Sequence, residues 1–159
     1  MERFTFFYRS SHPFSQWHPS RFVLDGHAYN CAEQYMMHRK ALLFGDRETA
    51  VRIMAAGEPR EQKALGRLVR GFVEDEWNAY CRDIVFNGNH GKFTQNERLK
   101  SALLETAGTT LVEASPTDRI WGIGLEENDP RALNRATWRG TNWLGEALTR
   151  LRDELLAGR

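Results

Sequence analysis

The alternation of hydrophobic and polar positions along the chain predicts a mostly helical protein with a few short strands. Apolar residues recur at helical spacing through much of the sequence, as at positions 148, 151 and 155 near its end. The predicted helices cover 30–45, 46–56, 58 to about 71, 74–86, 97–107 and 146–156. The predicted strands cover 4–8, the two sides of the Asp25-Gly26 turn within 21–29, and 110–115. The pattern therefore indicates an α+β fold, with a small sheet formed by the N-terminal segments and residues 110–115.

Glycine, asparagine and aspartate mark the expected ends of these elements. Asn30 is the predicted N-cap of the first helix and Gly45 its end, while Asp46 caps the second helix. The segment NGNHG at 87–91 predicts a break after the fourth helix, and the glycines of DRIWGIG at 118–124 predict a loop. Neither a repeat nor a linker interrupts the sequence, so one domain is predicted over residues 1–159.

The first predicted helix carries an acid and a lysine on an otherwise apolar stripe. Glu33, Met36, Met37 and Lys40 share one face, and Glu33 and Lys40 differ by only about 20° around the helix axis. Glu33 fits a capping box with Asn30, but it also fits an acid or base in a reaction. Lys40 either extends its amine to water, or keeps it in apolar surroundings that lower its pKa and make it a nucleophile.

Aromatic and polar residues outside this helix add few independent signals. Trp121 lies on the glycine-containing loop, where an indole ring is available to stack on a flat heterocycle. Asp118, which follows Pro116, is interpreted either as a turn-forming residue or as a polar contact to a ligand. Lys92 is expected to be a solvated surface lysine, with a phosphate contact as the alternative. The glycines at 122 and 124 do not form a dinucleotide fingerprint, because the third glycine and the strand–helix context are missing. The sequence also contains no P-loop.

Composition and charge exclude several broad functions. The formal net charge is +1, which offers no strong field for a nucleic-acid backbone or an anionic membrane. The five histidines and two cysteines do not fall into a metal-binding spacing, so neither a metal nor a cofactor is expected. The N-terminal segment lacks the features of a signal peptide, and no apolar run approaches the ~20 residues of a membrane span. A cytoplasmic protein without membrane association is therefore expected.

Several segments, taken in order, resemble the NADAR family of N-glycosidases. They include PFSQWHPSRFVLDGHAYNCAEQYMMHRKA, EDEWNAY, GKFTQNERLKSALLETAG, TLVEASPTDRIWGIG and GTNWLGEALTRLRDEL, and the resemblance extends from about Phe4 to Leu155. The sequence departs from the family pattern at Gln16 and Trp17, in the segment that is F-S-N-F elsewhere in the family. It also departs at Gln34 and at residues 37–39, but it retains Glu33 and Lys40.

The resemblance implies an activity and a set of site residues. It identifies Glu33 and Lys40 as the catalytic pair of an enzyme that hydrolyses the bond between ribose and an exocyclic base nitrogen. The implied substrates are the ribosylamino-pyrimidine phosphates of riboflavin biosynthesis or, alternatively, ADP-ribose attached to guanine in nucleic acid. A non-catalytic module that binds ADP-ribose or a nucleotide is a further alternative. The expected substrate-binding residues are Ser15, Trp77, Asp118, Trp121, Gly122, Asn142 and Gly145.

Overall fold

The computed structural model describes residues 1–158, and Arg159 lies outside the described residues. The strands are β1 (Phe4–Phe7), β2 (Phe22–Leu24), β3 (His27–Tyr29) and β4 (Thr110–Glu113). The helices are α1 (Ala32–Leu43), α2 (Arg47–Ala55), α3 (Pro59–Gly66), α4 (Glu74–Thr94), α5 (Glu97–Leu104) and α6 (Trp143–Ala157). Two short 3-10 helices, Pro130–Leu133 and Arg135–Thr137, precede α6. These elements confirm the predicted α+β class.

The chain divides into two compact units. Unit 1 comprises Met1–Ser15 together with the chain from Glu97 onward, and unit 2 comprises Gln16–Asn96. In unit 1, β1 pairs in parallel with β4, so that Phe4 lies opposite Thr110 and Phe7 opposite Glu113. Helix α6 packs against β4 and supplies three fully buried leucines, at 144, 148 and 151. The prediction that an N-terminal strand pairs with residues 110–115 is confirmed.

Unit 2 begins with a β-hairpin that forms a separate two-stranded sheet. Strands β2 and β3 are antiparallel, and Asp25 and Gly26 both adopt positive φ angles, of 52° and 79°, as the predicted tight turn requires. The outer edge of β2 is covered by a side chain, because the Gln95 amide bonds both the N–H and the carbonyl oxygen of Val23 at 2.8 Å. The structure therefore contains two small sheets instead of the single sheet expected from the sequence.

Helix α1 begins one residue later than predicted. Its N-cap is Cys31, whose side chain makes no capping hydrogen bond, and the helix starts at Ala32. The predicted N-cap, Asn30, forms a different hydrogen bond: its side-chain amide donates to the carbonyl oxygen of Gly57 at 3.1 Å. The predicted end is confirmed, since α1 stops at Leu43 and Gly45 has a φ of 73°.

Helix α4 contradicts the predicted break at 87–91, because it runs without interruption from Glu74 to Thr94. The glycines in this segment permit close packing. A Cβ atom on Gly88 would lie 2.6 Å from the Tyr35 ring, and one on Gly91 would lie 3.0 Å from Leu24. Tertiary packing thus overrides the helix-breaking tendency of glycine, which costs about 1 kcal/mol per residue. Helix α3 also differs from its prediction, ending at Gly66 well before Gly71.

Candidate active site

Helix α1 brings the two predicted catalytic residues into unit 2 on a largely buried surface. Glu33 lies in the first turn, where it is 4% exposed, and its backbone N–H donates to the carbonyl oxygen of Gln16 at 3.0 Å. Met36 and Met37 are buried beside it, and Lys40 follows in the last turn, where it is half-buried. The Glu33 carboxylate acts electrostatically on the Lys40 ammonium. The helix therefore presents an acid and an amine that influence each other.

The alternative role of Glu33 in a capping box is wrong. The hydrogen bond that such a motif would form is made by the next residue, because Gln34 Oε1 accepts from the Asn30 N–H at 2.8 Å. The Gln34 amide nitrogen also donates to the carbonyl oxygen of Ile53 at 3.2 Å, which ties the start of α1 to α2. Gln34, where this sequence departs from the family pattern, thus holds the start of α1 in place. Glu33 is not required to cap the helix.

The Lys40 amine lies against aromatic rings. Its Nζ atom is 4.7 Å from the ring centroid of Phe72 and 5.7 Å from that of Trp77. Burial lowers the pKa of Lys40 below its ordinary value; the Glu33 carboxylate opposes this change, and the positive charge of Arg67 adds to it. The ring faces attract the protonated amine, but the same rings exclude water from it, and the net pKa is lowered. Lys40 therefore has a larger neutral fraction than an exposed lysine.

Phe72 is a site residue that sequence reasoning did not identify. It follows Gly71, whose φ of 79° turns the chain between α3 and α4, and its ring packs edge-on against Phe44 at 5.4 Å. The ring is nevertheless 44% exposed, although it is large and apolar. Phe72 and Trp77 therefore form an accessible aromatic surface beside the Lys40 amine.

A buried polar cluster lies behind the first turn of α1. Lys92 has no exposed surface, which contradicts the expectation of a solvated lysine, and burial lowers its pKa to about 7. Burial raises the pKa of the Cys31 thiol to about 11; Glu33 acts in the same direction, whereas Lys92 opposes it. The thiol donates to Gln62 Oε1 at 3.1 Å. Cys31 is therefore an inert packing residue, and the buried Lys92 amine acts electrostatically on it.

Asn89 connects this cluster to the segment that precedes α1. Its Nδ2 group donates to Gln16 Oε1 and to the carbonyl oxygen of Val85, both at 2.8 Å. The Val85 carbonyl accepts hydrogen bonds but cannot donate them, so the orientation of the Asn89 amide is determined. Among residues 1–158, the buried Oδ1 atom of Asn89 has no hydrogen-bond donor. Lys92, Asn89 and Gln16 were not identified as site residues because their burial depends on the continuous α4 helix.

The remaining predicted residues lie in unit 1, where several of them shape a loop. Asp118 Oδ1 accepts from the backbone N–H groups of Ile120 at 2.9 Å and Trp121 at 2.8 Å, so this carboxylate forms a turn. The Trp121 ring meets the Trp143 ring edge-on at 5.7 Å. A Cβ atom on Gly122 would lie 2.8 Å from the carbonyl oxygen of Glu113, which requires glycine there. The 118–124 segment is a loop, as predicted.

Asn142 and Gly145 secure the start of α6 against β4. Asn142 is fully buried with a φ of 54°, its Oδ1 accepts from the Glu113 N–H, and its Nδ2 donates to the Leu111 carbonyl oxygen, both at 3.0 Å. A Cβ atom on Gly145 would lie 2.1 Å from the same carbonyl oxygen. Ser15 is also buried, and its N–H donates to the His12 carbonyl oxygen. Contact between these residues and a substrate stays a prediction.

Metal binding and membrane insertion find no support in the described part of the chain. Residues 1–158 contain no group of three His, Cys, Asp or Glu side chains arranged to hold a metal ion. Within the same residues, no helix combines the length and the apolar character that crossing a membrane requires. An open depression of about 500 Å³ on α6, lined by residues such as Glu146 and Arg150, contains no predicted substrate-binding residue.

Comparison with known proteins identifies relatives along nearly the whole chain. A family model described as the NADAR domain matches residues 6–156. N-glycosidase R617 of Acanthamoeba polyphaga mimivirus is 46% identical over 90% of this chain and 87% of its own length. The maize protein named riboflavin biosynthesis protein PYRR, chloroplastic, is 35% identical over 69% of this chain, which corresponds to 16% of that protein. The NMR structure of the E. coli protein YbiA superposes with a TM-score of 0.80 at 25% identity, covering 99% of this chain and 88% of YbiA.

Proposed function

The chain belongs to the NADAR domain family and is a hydrolase of the N-glycosidase class, and from this premise we propose that it cleaves ribosylamino-pyrimidine phosphates by using Lys40 and Glu33. The observation that carries the proposal is the half-buried Lys40 amine, which has a lowered pKa and interacts with the Glu33 carboxylate. A module that only binds nucleotides gains nothing from a lysine held partly neutral. The similarity to a protein named for riboflavin biosynthesis supports this choice of substrate class.

The proposed reaction begins with the ring-opened substrate, in which C1′ is bonded to the exocyclic base nitrogen as an imine. The lone pair of neutral Lys40 Nζ adds to C1′, and Glu33 donates a proton to the base nitrogen. The Lys40 nitrogen then passes a proton by way of Glu33 to the base nitrogen. The bond between C1′ and the base nitrogen breaks, its electron pair leaves with the base amine, and a protonated Schiff base between Lys40 and the sugar remains. Water adds to C1′ while the Glu33 carboxylate accepts its proton. The bond between C1′ and Nζ then breaks as a proton moves from the new hydroxyl group to Nζ, which releases the ribose phosphate and restores the neutral lysine.

The aromatic rings beside Lys40 suit the other half of the substrate. Phe72 and Trp77 offer flat faces on which a pyrimidine base can stack, and each such contact contributes about 1–3 kcal/mol. For Trp121 and Asp118, contact with a base or a sugar hydroxyl stays a prediction that the family resemblance implies. We place the reaction in the cytoplasm, where two buried free cysteines remain reduced.

Borohydride trapping tests the covalent route. Reduction during turnover of a ribosylamino-pyrimidine phosphate should leave a sugar adduct on the peptide containing Lys40, detectable by mass spectrometry. Lys40→Ala should lose both the adduct and the release of ribose 5-phosphate, whereas Lys100→Ala, altered on α5, should retain both. Near-normal turnover by Lys40→Ala would refute the covalent mechanism, and a complete absence of turnover by the wild-type protein would refute the substrate class.

Glu33→Gln tests the acid and base role. This substitution keeps the shape of the side chain but removes its proton transfer, so kcat should fall by about 10²–10⁴-fold while KM changes little. ADP-ribosylated guanine should be assayed in parallel, because it carries the same type of bond between ribose and an exocyclic nitrogen. Turnover of that compound alone would assign the enzyme to nucleic-acid repair chemistry.

A further inference from the structure

The end of α3 places Arg67 near the proposed nucleophile, and Lys63 lies one helical turn before it. A Cβ atom on Gly66 would lie 2.0 Å from Met37 Sδ, so the last residue of α3 packs directly on α1, three residues before Lys40. Arg67 follows as the C-cap of α3, and its N–H donates to the Lys63 carbonyl oxygen at 3.2 Å. Because Lys63 and Arg67 are four residues apart, they lie on the same face at the end of the helix.

These cations are available to a ligand. Both side chains are exposed, and among the described residues neither forms an ion pair with a carboxylate. Arg70 provides the contrast, since it is bonded to Asp46 at 3.0 Å and to Glu48 at 3.1 Å. Lys63 Nζ lies 5.9 Å from the ring centroid of Trp17, which adds an aromatic face to this surface.

Helix stability accounts for only part of this arrangement. A cation at the end of a helix interacts favourably with the helix dipole, typically by about 0.3–1 kcal/mol. The charge of Arg67 also acts on the ammonium of Lys40, and two like charges repel each other. A neutral residue at this position would avoid the repulsion. An anion bound to Arg67 would offset the positive charge that Arg67 places near Lys40.

We infer that Lys63 and Arg67 bind the phosphate on the C5 oxygen of the substrate ribose while Lys40 reacts at C1′. The inference rests on the proposed function, since it uses Lys40 as the group that reaches the sugar. Arginine and lysine next to each other suit a phosphate dianion, because the guanidinium group bonds two oxygens at once and the ammonium adds a point charge. A phosphomonoester and the diphosphate of ADP-ribose share this chemistry.

Binding measurements test the site without requiring turnover. Isothermal titration calorimetry should show that the wild-type protein binds ribose 5-phosphate more tightly than ribose. Arg67→Met should reduce the affinity for ribose 5-phosphate by about tenfold or more. Arg52→Met is the matched control, because it removes one exposed arginine from α2 of the same unit and should leave binding unchanged. A comparison of the affinities for ribose 5-phosphate and ADP-ribose distinguishes the two sources of phosphate. The ligand that binds more tightly carries the preferred type of phosphate.

Three results would overturn the inference: equal affinity of the wild-type protein for ribose and ribose 5-phosphate, unchanged binding in Arg67→Met, or the same loss in Arg52→Met. Turnover adds a second comparison, between a ribosylamino-pyrimidine phosphate and its dephosphorylated form. At the pH of maximal activity of each variant, Arg67→Met should reduce kcat/KM only for the phosphorylated form. Inactivity of the wild-type protein on both forms would reject the proposed reaction, while the calorimetry still decides the phosphate site.

Discussion

The aromatic rings beside Lys40 attract its positively charged form, whereas burial of the amine disfavours that form. Phe72 and Trp77 place their rings near Nζ, and burial of the amine lowers its pKa. Catalysis by a lysine nucleophile needs the unprotonated amine, so a lowered pKa increases the reactive fraction at neutral pH. The chemistry at this residue is therefore controlled by its apolar neighbours as much as by Glu33.

The pH dependence of kcat/KM should report this control. Activity should increase with pH through the pKa of Lys40, and this rise should occur below the ordinary lysine value of 10.5. Phe72→Ala admits water to the amine, so the rise should move to higher pH, and each unit of increase in pKa should reduce activity at pH 7 about tenfold. Tyr80→Ala, which removes another exposed aromatic ring from unit 2, should leave the rise in place. A profile that Phe72→Ala does not move would show that the ring has no part in lowering this pKa.

At the residue scale, the sequence predicted the reactive residues better than it predicted the residues that surround them. The seven-residue spacing of Glu33 and Lys40 is enough to place both on one helical face, because that geometry is local. Phe72, Arg67 and Lys92 approach the site through the packing of α3 and α4 on α1, which no local pattern encodes. Lys92 in particular looks like any surface lysine until the whole of α4 is known to be helical.

At the scale of elements, α4 departs furthest from its prediction. Its glycines at 88 and 91 read locally as a break, yet each lies where a neighbouring side chain leaves no room for a Cβ atom. Tyr35 approaches Gly88, and Phe22 and Leu24 approach Gly91, so the hairpin and α1 both depend on the glycine surface of this helix. The ends of α1, α2 and the hairpin were predictable because their turn residues act locally, as Gly45, Asp46 and Gly26 do.

Substitution of Gly88 should reveal the packing role directly. Glycine to alanine in an ordinary helix interior is stabilising by about 1 kcal/mol, but here the new methyl group would collide with the Tyr35 ring. We therefore expect Gly88→Ala to lower the free energy of unfolding by about 1–3 kcal/mol, measured by urea denaturation. Gly57→Ala is the control, because a Cβ atom added there would have no neighbouring atom within 4 Å. A stabilised Gly88→Ala variant would contradict the close contact with Tyr35.

At the scale of the whole molecule, Lys92 links folding to pH. Its pKa is about 7 in the folded protein and near 10.5 when exposed, so the unfolded chain binds more protons between these values. The contribution of Lys92 is least favourable below pH 7, and stability gained from its deprotonation increases as the pH rises towards 10.5. Few proteins carry a lysine as one of their largest fully buried side chains, and here it accompanies a buried glutamate in the same unit.

Replacement of Lys92 should remove this linkage. For Lys92→Met, the dependence of the unfolding free energy on pH should be shallower than for the wild-type protein by up to about 1.4 kcal/mol per pH unit between pH 7 and 10.5. Urea denaturation at several pH values measures the difference. Lys100→Met, on α5, should follow the wild-type curve. Parallel curves for Lys92→Met and the wild-type protein would show that Lys92 keeps an ordinary pKa when folded.

The unbroken α4 helix also has a mechanical consequence. Trp77 lies in its first turn and Lys92 in its last, about 22 Å apart along the axis at about 1.5 Å per residue. Deleting one residue anywhere between them would rotate one end relative to the other by about 100°. The helix thus fixes the distance and the angle between the aromatic surface and the buried amine. An insertion or deletion within α4 would therefore change this geometry, whereas one beyond either end would leave it intact.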